Sequence, residues 1–83
     1  MKLVNLQEMY MNTLRKESVP TTFFLVNGFQ LKGIIKAFDL YTVVIDVGGT
    51  QEMVFKHAIS TLIPEKTVDL TAFANKDDGM LMS

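Results

Sequence analysis

The sequence predicts a mainly β domain, with one N-terminal α-helix ahead of a strongly bent, five-stranded antiparallel barrel. Three observations predict it. Helical periodicity is confined to the chain up to about residue 17. From Thr21 to Ile63 the chain is a succession of short β-rich runs at close spacing. Asn27-Gly28 and Gly48-Gly49 separate some of these runs, and Gly33 falls inside the longest one.

The helix opens on Asn5-Leu6-Gln7-Glu8, a capping-box pattern in which Asn5 caps and Glu8 answers it three residues on. Leu6, Met9, Tyr10, Thr13 and Leu14 recur at helical spacing and form the expected apolar face. Gln7, Met11 and Arg15 fall on an adjacent stripe, and Asn12 and Lys16 complete the polar side. Pro20 pushes Val19 towards extended geometry, so the helix is expected over about residues 6 to 17.

Thr21 to Val26 is the first strand. Asn27-Gly28 predicts a two-residue type I′ turn, whose central residues both need positive φ. The return strand runs from Phe29 to Phe38, with Phe29, Leu31, Gly33, Ile35 and Ala37 on one side. Gln30, Lys32, Ile34, Lys36 and Phe38 fall on the other. Gly33 marks a bend or bulge, as a tightly curled sheet requires. Asp39 then shapes a turn through an Asx-type hydrogen bond. Tyr41 to Asp46 is the third strand, Val47 to Thr50 a turn, and Gln51 to Lys56 the fourth strand. His57-Ala58-Ile59 forms a short turn before a fifth strand, Ser60 to Ile63, ended by Pro64. The domain is expected over residues 1–66. Beyond it, residues 67–83 read as a short, partly disordered tail in which Val68 and Leu70 still pack locally.

Eighty-three residues make one domain. So small a chain buries only about 60% of its unfolded surface. Without a cysteine there is no disulfide to compensate, which leaves oligomerisation as the common remedy. The same absence removes thiol catalysis and zinc–thiolate sites. One histidine is too few for a metal site, and no nucleophile–base–orienter set can be assembled around it. No catalytic residue, metal or cofactor is expected. The net charge is −1, from eight Lys and Arg against nine Asp and Glu, so any polyanion must be held by a local concentration of positive charge. No apolar run approaches the roughly 20 residues of a spanning helix, and the start carries no signal-peptide core. The chain reads as a cytoplasmic protein with no membrane partner.

Phe55-Lys56-His57-Ala58-Ile59-Ser60-Thr61 concentrates an aromatic, a cation, the one imidazole and two hydroxyls at the end of a β-like run. Phosphate oxygens and base edges suit that mixture better than a core does. Each residue also has a plainer reading. His57 fits a packed or capping role, Tyr41 an edge aromatic, and Phe24 and Phe29 a cover for the barrel end. Arg15 and Lys16 fit the solvated face of a helix, and Gly48-Gly49 is a turn rather than a phosphate loop.

Together with Leu25-Val26-Asn27-Gly28 and Phe38-Asp39, the Lys56-to-Thr61 stretch resembles the two Sm motifs of Hfq, the bacterial Sm-like RNA chaperone family. The resemblance covers about residues 5 to 66, and Asn27 to Gly33 looks closest to Gram-positive members. It implies an Sm-like (SH3-like) barrel whose protomers close into a homohexameric ring, the fourth strand of one pairing with the fifth of the next. It also implies a role in pairing small regulatory RNAs with mRNAs. Uridine-rich single-stranded RNA would meet the helix side of the ring at Gln7, Leu40, Tyr41, Phe55, Lys56 and His57. A-rich or purine-rich RNA would meet the opposite side at Phe24, Asn27, Gly28, Phe29, Leu31, Lys32, Glu52 and Thr61. The outer rim maps to Asn12, Arg15, Lys16 and Ser18.

Three positions depart from the family pattern. Leu40 stands where an amide is usual, Phe55 where Tyr is usual, and Glu52 where some members carry Gln. A competing reading, supported by the balanced charge, is an SH3-like module that self-assembles or binds a peptide.

Overall fold

The computed structural model describes residues 6–69. Asn5, the expected helix cap, and residues 70–83, which hold Leu70 and most of the expected tail, lie outside them. The elements follow in the order α1 (Leu6–Lys16), β1 (Thr21–Leu25), β2 (Gln30–Phe38), β3 (Thr42–Val47), β4 (Thr50–Phe55), a 3-10 turn (Lys56–Ala58) and β5 (Ile59–Pro64).

Helix α1 buries Met11 and Leu14 completely, while Leu6 stays 42% exposed. The core-facing arc is therefore centred on Leu14 between Tyr10 and Met11; of the expected face of Leu6, Met9, Tyr10, Thr13 and Leu14 it keeps Leu14 and Tyr10, and it gains Met11. The helix stops in a Schellman arrangement. Ser18 has φ 51, the Val19 N–H donates to Leu14 O at 3.0 Å, and the Ser18 N–H donates to Arg15 O at 3.2 Å. Val19 and Leu14, the two ends of that motif, are both buried and pack in the core. Buried Thr21 satisfies its hydroxyl on Val19 O at 3.0 Å.

The strands form one antiparallel sheet in the order β4-β3-β2-β1-β5, which leaves β4 and β5 at its two ends. Strand β2 is shared between two halves of this sheet. Its start, Gln30 to Gly33, pairs with β1, and Ile34 to Phe38 pairs with β3. Phe23, Ile35, Val43 and Ile45 project into the core beside Met11, Leu14 and Val19. Burying each such side chain contributes about 1.5–3 kcal/mol before entropy is counted.

Three local features differ from expectation. The first hairpin has a three-residue loop, Val26-Asn27-Gly28, and only Gly28 has positive φ (94°). Asn27 keeps a negative φ and accepts the Phe29 N–H on its side-chain oxygen at 3.0 Å. Core patterning explains the choice. A two-residue loop would set Phe23 opposite Lys32, whereas the observed register sets Phe23 opposite Leu31 and Thr21 opposite Gly33. The type I′ signature appears instead at Gly48-Gly49, with φ 60° and 91°, flanked by the Val47–Thr50 pair. Secondly, the bulge in β2 falls at Lys36, while Gly33 stands where the pairing of β2 passes from β1 to β3. Ile35 pairs with Ile45 and Ala37 with Val44, so Lys36 is passed over. That extra residue turns Phe38, rather than Ala37, towards the core. Thirdly, Lys56 belongs to the 3-10 turn and Ile59 to β5, because the chain must reverse between the two ends of the sheet.

Candidate nucleic-acid interface

Asp39 builds the loop between β2 and β3. One of its carboxylate oxygens accepts the Tyr41 N–H at 2.9 Å, the Thr42 N–H at 2.7 Å and the Thr42 hydroxyl at 2.8 Å. The Asp39 N–H donates to Thr42 O at 3.0 Å. The loop tip is fixed while its side chains project outwards, with Leu40 65% and Tyr41 70% exposed. The end of β4 lies alongside, since Thr42 pairs with Phe55 and the Lys56 N–H donates to Tyr41 O at 2.7 Å. The rings of Phe55 and His57 stack at 5.6 Å with 19° between planes. The Lys56 ammonium stands 5.1 Å from the centre of the Phe38 ring, a cation–π contact between two half-buried side chains.

Tyr41, Phe55, Lys56 and His57 are thus brought together around one loop junction with Leu40 beside them. Their arrangement offers stacking faces, a cation and an imidazole to a ligand in solvent. Gln7 is exposed on the first turn of α1, one turn before Met11 on the same stripe. Among the described residues no hydrogen bond joins it to the cluster.

Hydrogen bonds from Thr42 and Tyr41 hold the Asp39 carboxyl below its ordinary value of 3.8, and the charge of Lys56 adds to the effect. A depressed carboxylate stabilises the folded state above its ordinary value and loses that contribution as pH falls through the folded one. Melting temperature should therefore drop below about pH 4 more steeply in the wild type than in Asp39→Asn. The amide keeps an oxygen acceptor but does not titrate there. Equal slopes in thermal melts at the two ends of that window would rule out the carboxylate as the cause.

The residues assigned to the opposite face are less concentrated. Phe24 lies on β1 between Gln30 and Thr61, and the Ser60 hydroxyl donates to its carbonyl at 3.0 Å. Asn27, Gly28 and Phe29 form the adjoining hairpin end, where Phe29 is 70% exposed. Lys32 pairs with Thr22 and is exposed. Leu31, by contrast, sits opposite buried Phe23 and packs against the core, on the other side of the strand from Phe24. Glu52, on β4, pairs with Ile45 of β3, at the far end of the strand order from β5 and its Thr61.

At the rim, Arg15 donates to the Asn12 side-chain oxygen at 2.7 Å. Both line a shallow depression of about 310 Å³ with Lys36, Ala37 and Phe38. Lys16 and Ser18 are exposed at the helix end and do not line it. Sequence patterning missed Lys36 and Phe38 here. Only the bulge brings them to this depression, and no residue type announced where it falls.

Among the described residues no helix is long and apolar enough to cross a membrane. A sequence model for a family described as "Hfq protein" matches residues 6–69. The chain is 53% identical over 68 residues to the RNA-binding protein Hfq of Moorella thermoacetica, covering 82% of this chain and 81% of that one. It is 55% identical over 67 residues to the RNA-binding protein Hfq of Shouchella clausii, covering 81% and 87%. Its fold is similar to the 1.55 Å crystal structure of a protein described as the pleiotropic translational regulator Hfq, with a TM-score of 0.69 and 37% identity over 71% of this chain and 98% of that one. On the sequence match and the shared architecture together, this chain belongs to the Hfq family.

Proposed function

We propose that the chain is a cytoplasmic RNA chaperone that works as a homohexameric ring and promotes pairing between small regulatory RNAs and mRNAs. The observation that carries the RNA-binding reading is the junction of Tyr41, Phe55, Lys56 and His57. Two solvent-facing aromatic residues, a cation and an imidazole converge there. Base stacking on an exposed aromatic is tolerant of sequence, and the cation adds phosphate attraction. The relatives named RNA-binding protein Hfq support the same reading.

Ring closure is supported by the two ends of the sheet. Strands β4 and β5 each have a neighbour on one side only, and Met53, Phe55 and Ile63 on them are 68%, 58% and 54% exposed. Pairing β4 of one protomer with β5 of the next removes both edges at once. It also brings Glu52 of one copy towards Thr61 of its neighbour, assembling the purine-rich face from two chains. Repeating each weak contact around an axis raises the effective concentration of a second RNA held on the other face.

Native mass spectrometry with short oligo-U and oligo-A tests all of this together. The expected result is a hexamer that carries both ligands at once. A monomer, or a ring on which either oligomer fully displaces the other, contradicts the proposal. A ring that binds neither favours the peptide-binding module instead.

A further inference from the structure

Asp39 uses only half of its carboxylate to build the loop at the stacking junction. The bonds from the Tyr41 N–H, the Thr42 N–H and the Thr42 hydroxyl all fall on Oδ1. No hydrogen bond reaches Oδ2 from the described residues, and the residue is exposed. The bonds on Oδ1 hold the carboxyl below its ordinary value, so Oδ2 is an ionised acceptor at neutral pH. Lys56 is the matching donor. Its ammonium lies 5.1 Å from the centre of the ring of Phe38, the residue before Asp39, and its charge bears on the Asp39 carboxylate. Tyr41 links the two. Its N–H meets Asp39, and its carbonyl oxygen takes the Lys56 N–H at 2.7 Å. A base stacked on the exposed Tyr41 ring thus has an anionic acceptor and a cationic donor beside it. Leu40 and Phe55 carry no polar side-chain atom, and the Thr42 hydroxyl is committed to Asp39.

We propose that Asp39 Oδ2 and the Lys56 ammonium read the edge of a stacked uracil, Asp39 accepting from N3–H and Lys56 donating to a neighbouring carbonyl oxygen. This deepens the RNA-binding reading above and rests on it. Asp39 has two tasks: one oxygen sets the loop and the other selects the base. The selection follows from the pyrimidine edges. Uracil carries a donor at N3 between its two carbonyl oxygens. Cytosine carries a lone pair at N3, which an ionised oxygen repels. Cytosine O2 still accepts from Lys56, so the cation alone does not separate the two. Stacking on Tyr41 does not separate them either, because every base has a π-face. A site built around a hydrogen bond rejects a ligand that lacks the partner far more strongly than an apolar pocket rejects a near isostere. The carboxylate also repels RNA phosphate, and the charge of Lys56 beside it offsets that repulsion.

The test measures oligo-U and oligo-C binding to the wild type and to Asp39→Asn. The wild type should favour oligo-U at least about tenfold, the scale of a wrong contact at a base edge. In Asp39→Asn the amide oxygen keeps the three loop bonds and the NH2 group replaces Oδ2. That group donates where the carboxylate accepted, so it opposes uracil N3–H and fits the cytosine lone pair. The ratio of oligo-U to oligo-C affinity should fall to about one or below. A merely structural Asp39 would lower both affinities in proportion and leave the ratio alone. Modified oligomers repeat the test on the wild type, whatever the stability of the variant. An oligomer of 3-methyluridine, which lacks the N3–H, should bind at least about tenfold more weakly than oligo-U. One of 5-methyluridine keeps the N3–H and the stacking face, and should bind within about twofold of oligo-U. Equal wild-type affinity for oligo-U and oligo-C, an unchanged ratio in Asp39→Asn, or undiminished binding of the 3-methyl oligomer would each overturn the role of Asp39 while leaving RNA binding in place. A wild-type protein that binds none of these oligomers would overturn the underlying reading, and the base selection with it.

Discussion

Tyr41→Ala should reduce oligo-U affinity at least about tenfold while leaving oligo-A binding unchanged. Base–aromatic stacking is worth about 1–3 kcal/mol per base, and about 1.4 kcal/mol is one decade in Kd. Tyr41 is 70% exposed and its backbone is held by Asp39 and Lys56, so removing the ring should spare the fold. Phe29→Ala is the mirror experiment. Phe29 is equally exposed, on the first hairpin, and its loss should weaken oligo-A and spare oligo-U. Fluorescence anisotropy with labelled oligomers reads both. Parallel losses for the two ligands in both variants would mean that one surface serves both RNAs, and the two-face reading would fail.

Gly33→Ala should be the most damaging single methyl group in the domain. A Cβ there would overlap the backbone carbonyl oxygen of Asp46, 2.8 Å from Ile45 Cγ2 and 2.9 Å from the Asp46 carbonyl carbon. The obstacle is main chain, held in the β2–β3 ladder through the Ile34–Asp46 and Ile35–Ile45 pairs, so a rotamer change does not relieve it. Overpacking of this kind costs about 1–3 kcal/mol and occasionally more. For a domain of this size the upper end corresponds to a fall in Tm on the order of 10–20 °C. Gly28→Ala is the control. Nothing lies within 4 Å of its Cβ, and its only penalty is backbone strain at φ +94°. A differential scanning measurement that ranks Gly28→Ala as the worse variant would show that the strands separate to admit the methyl group.

The sequence made the order of elements legible because each carries its own short-range signal. Pro20 ends the helix region, the β-branched runs mark strands, and Asp39 announces its turn. Asp39 does accept the N–H two residues on, as expected. What was not legible depends on partners distant in the chain. Met11 lies on the stripe it shares with Gln7 and Arg15, yet it is buried in a core cluster that includes Ile35 of β2. The first hairpin signal was real, but the register that pairs Phe23 with Leu31 overrode the loop length preferred by Asn-Gly. The same holds for the candidate site. Lys56 and His57 were visible as an unusual local mixture. The contribution of Lys36 needed a bulge whose position is set by β3, and the inward turn of Leu31 needed the register of β1.

The Gly48-Gly49 turn offers a handle for experiment. Neither glycine has any atom within 4 Å of where a side chain would begin, and the chain contains no cysteine of its own. Strand β3, Thr42 to Val47, lies between the Tyr41 junction and this turn and alone spans five residue steps, about 16 Å at the rise of an extended strand. A cysteine inserted between the two glycines would give one unique thiol per subunit for a fluorophore or a surface tether. Such a label could report on ligand exchange at the Tyr41 junction from a distance, without standing in its path.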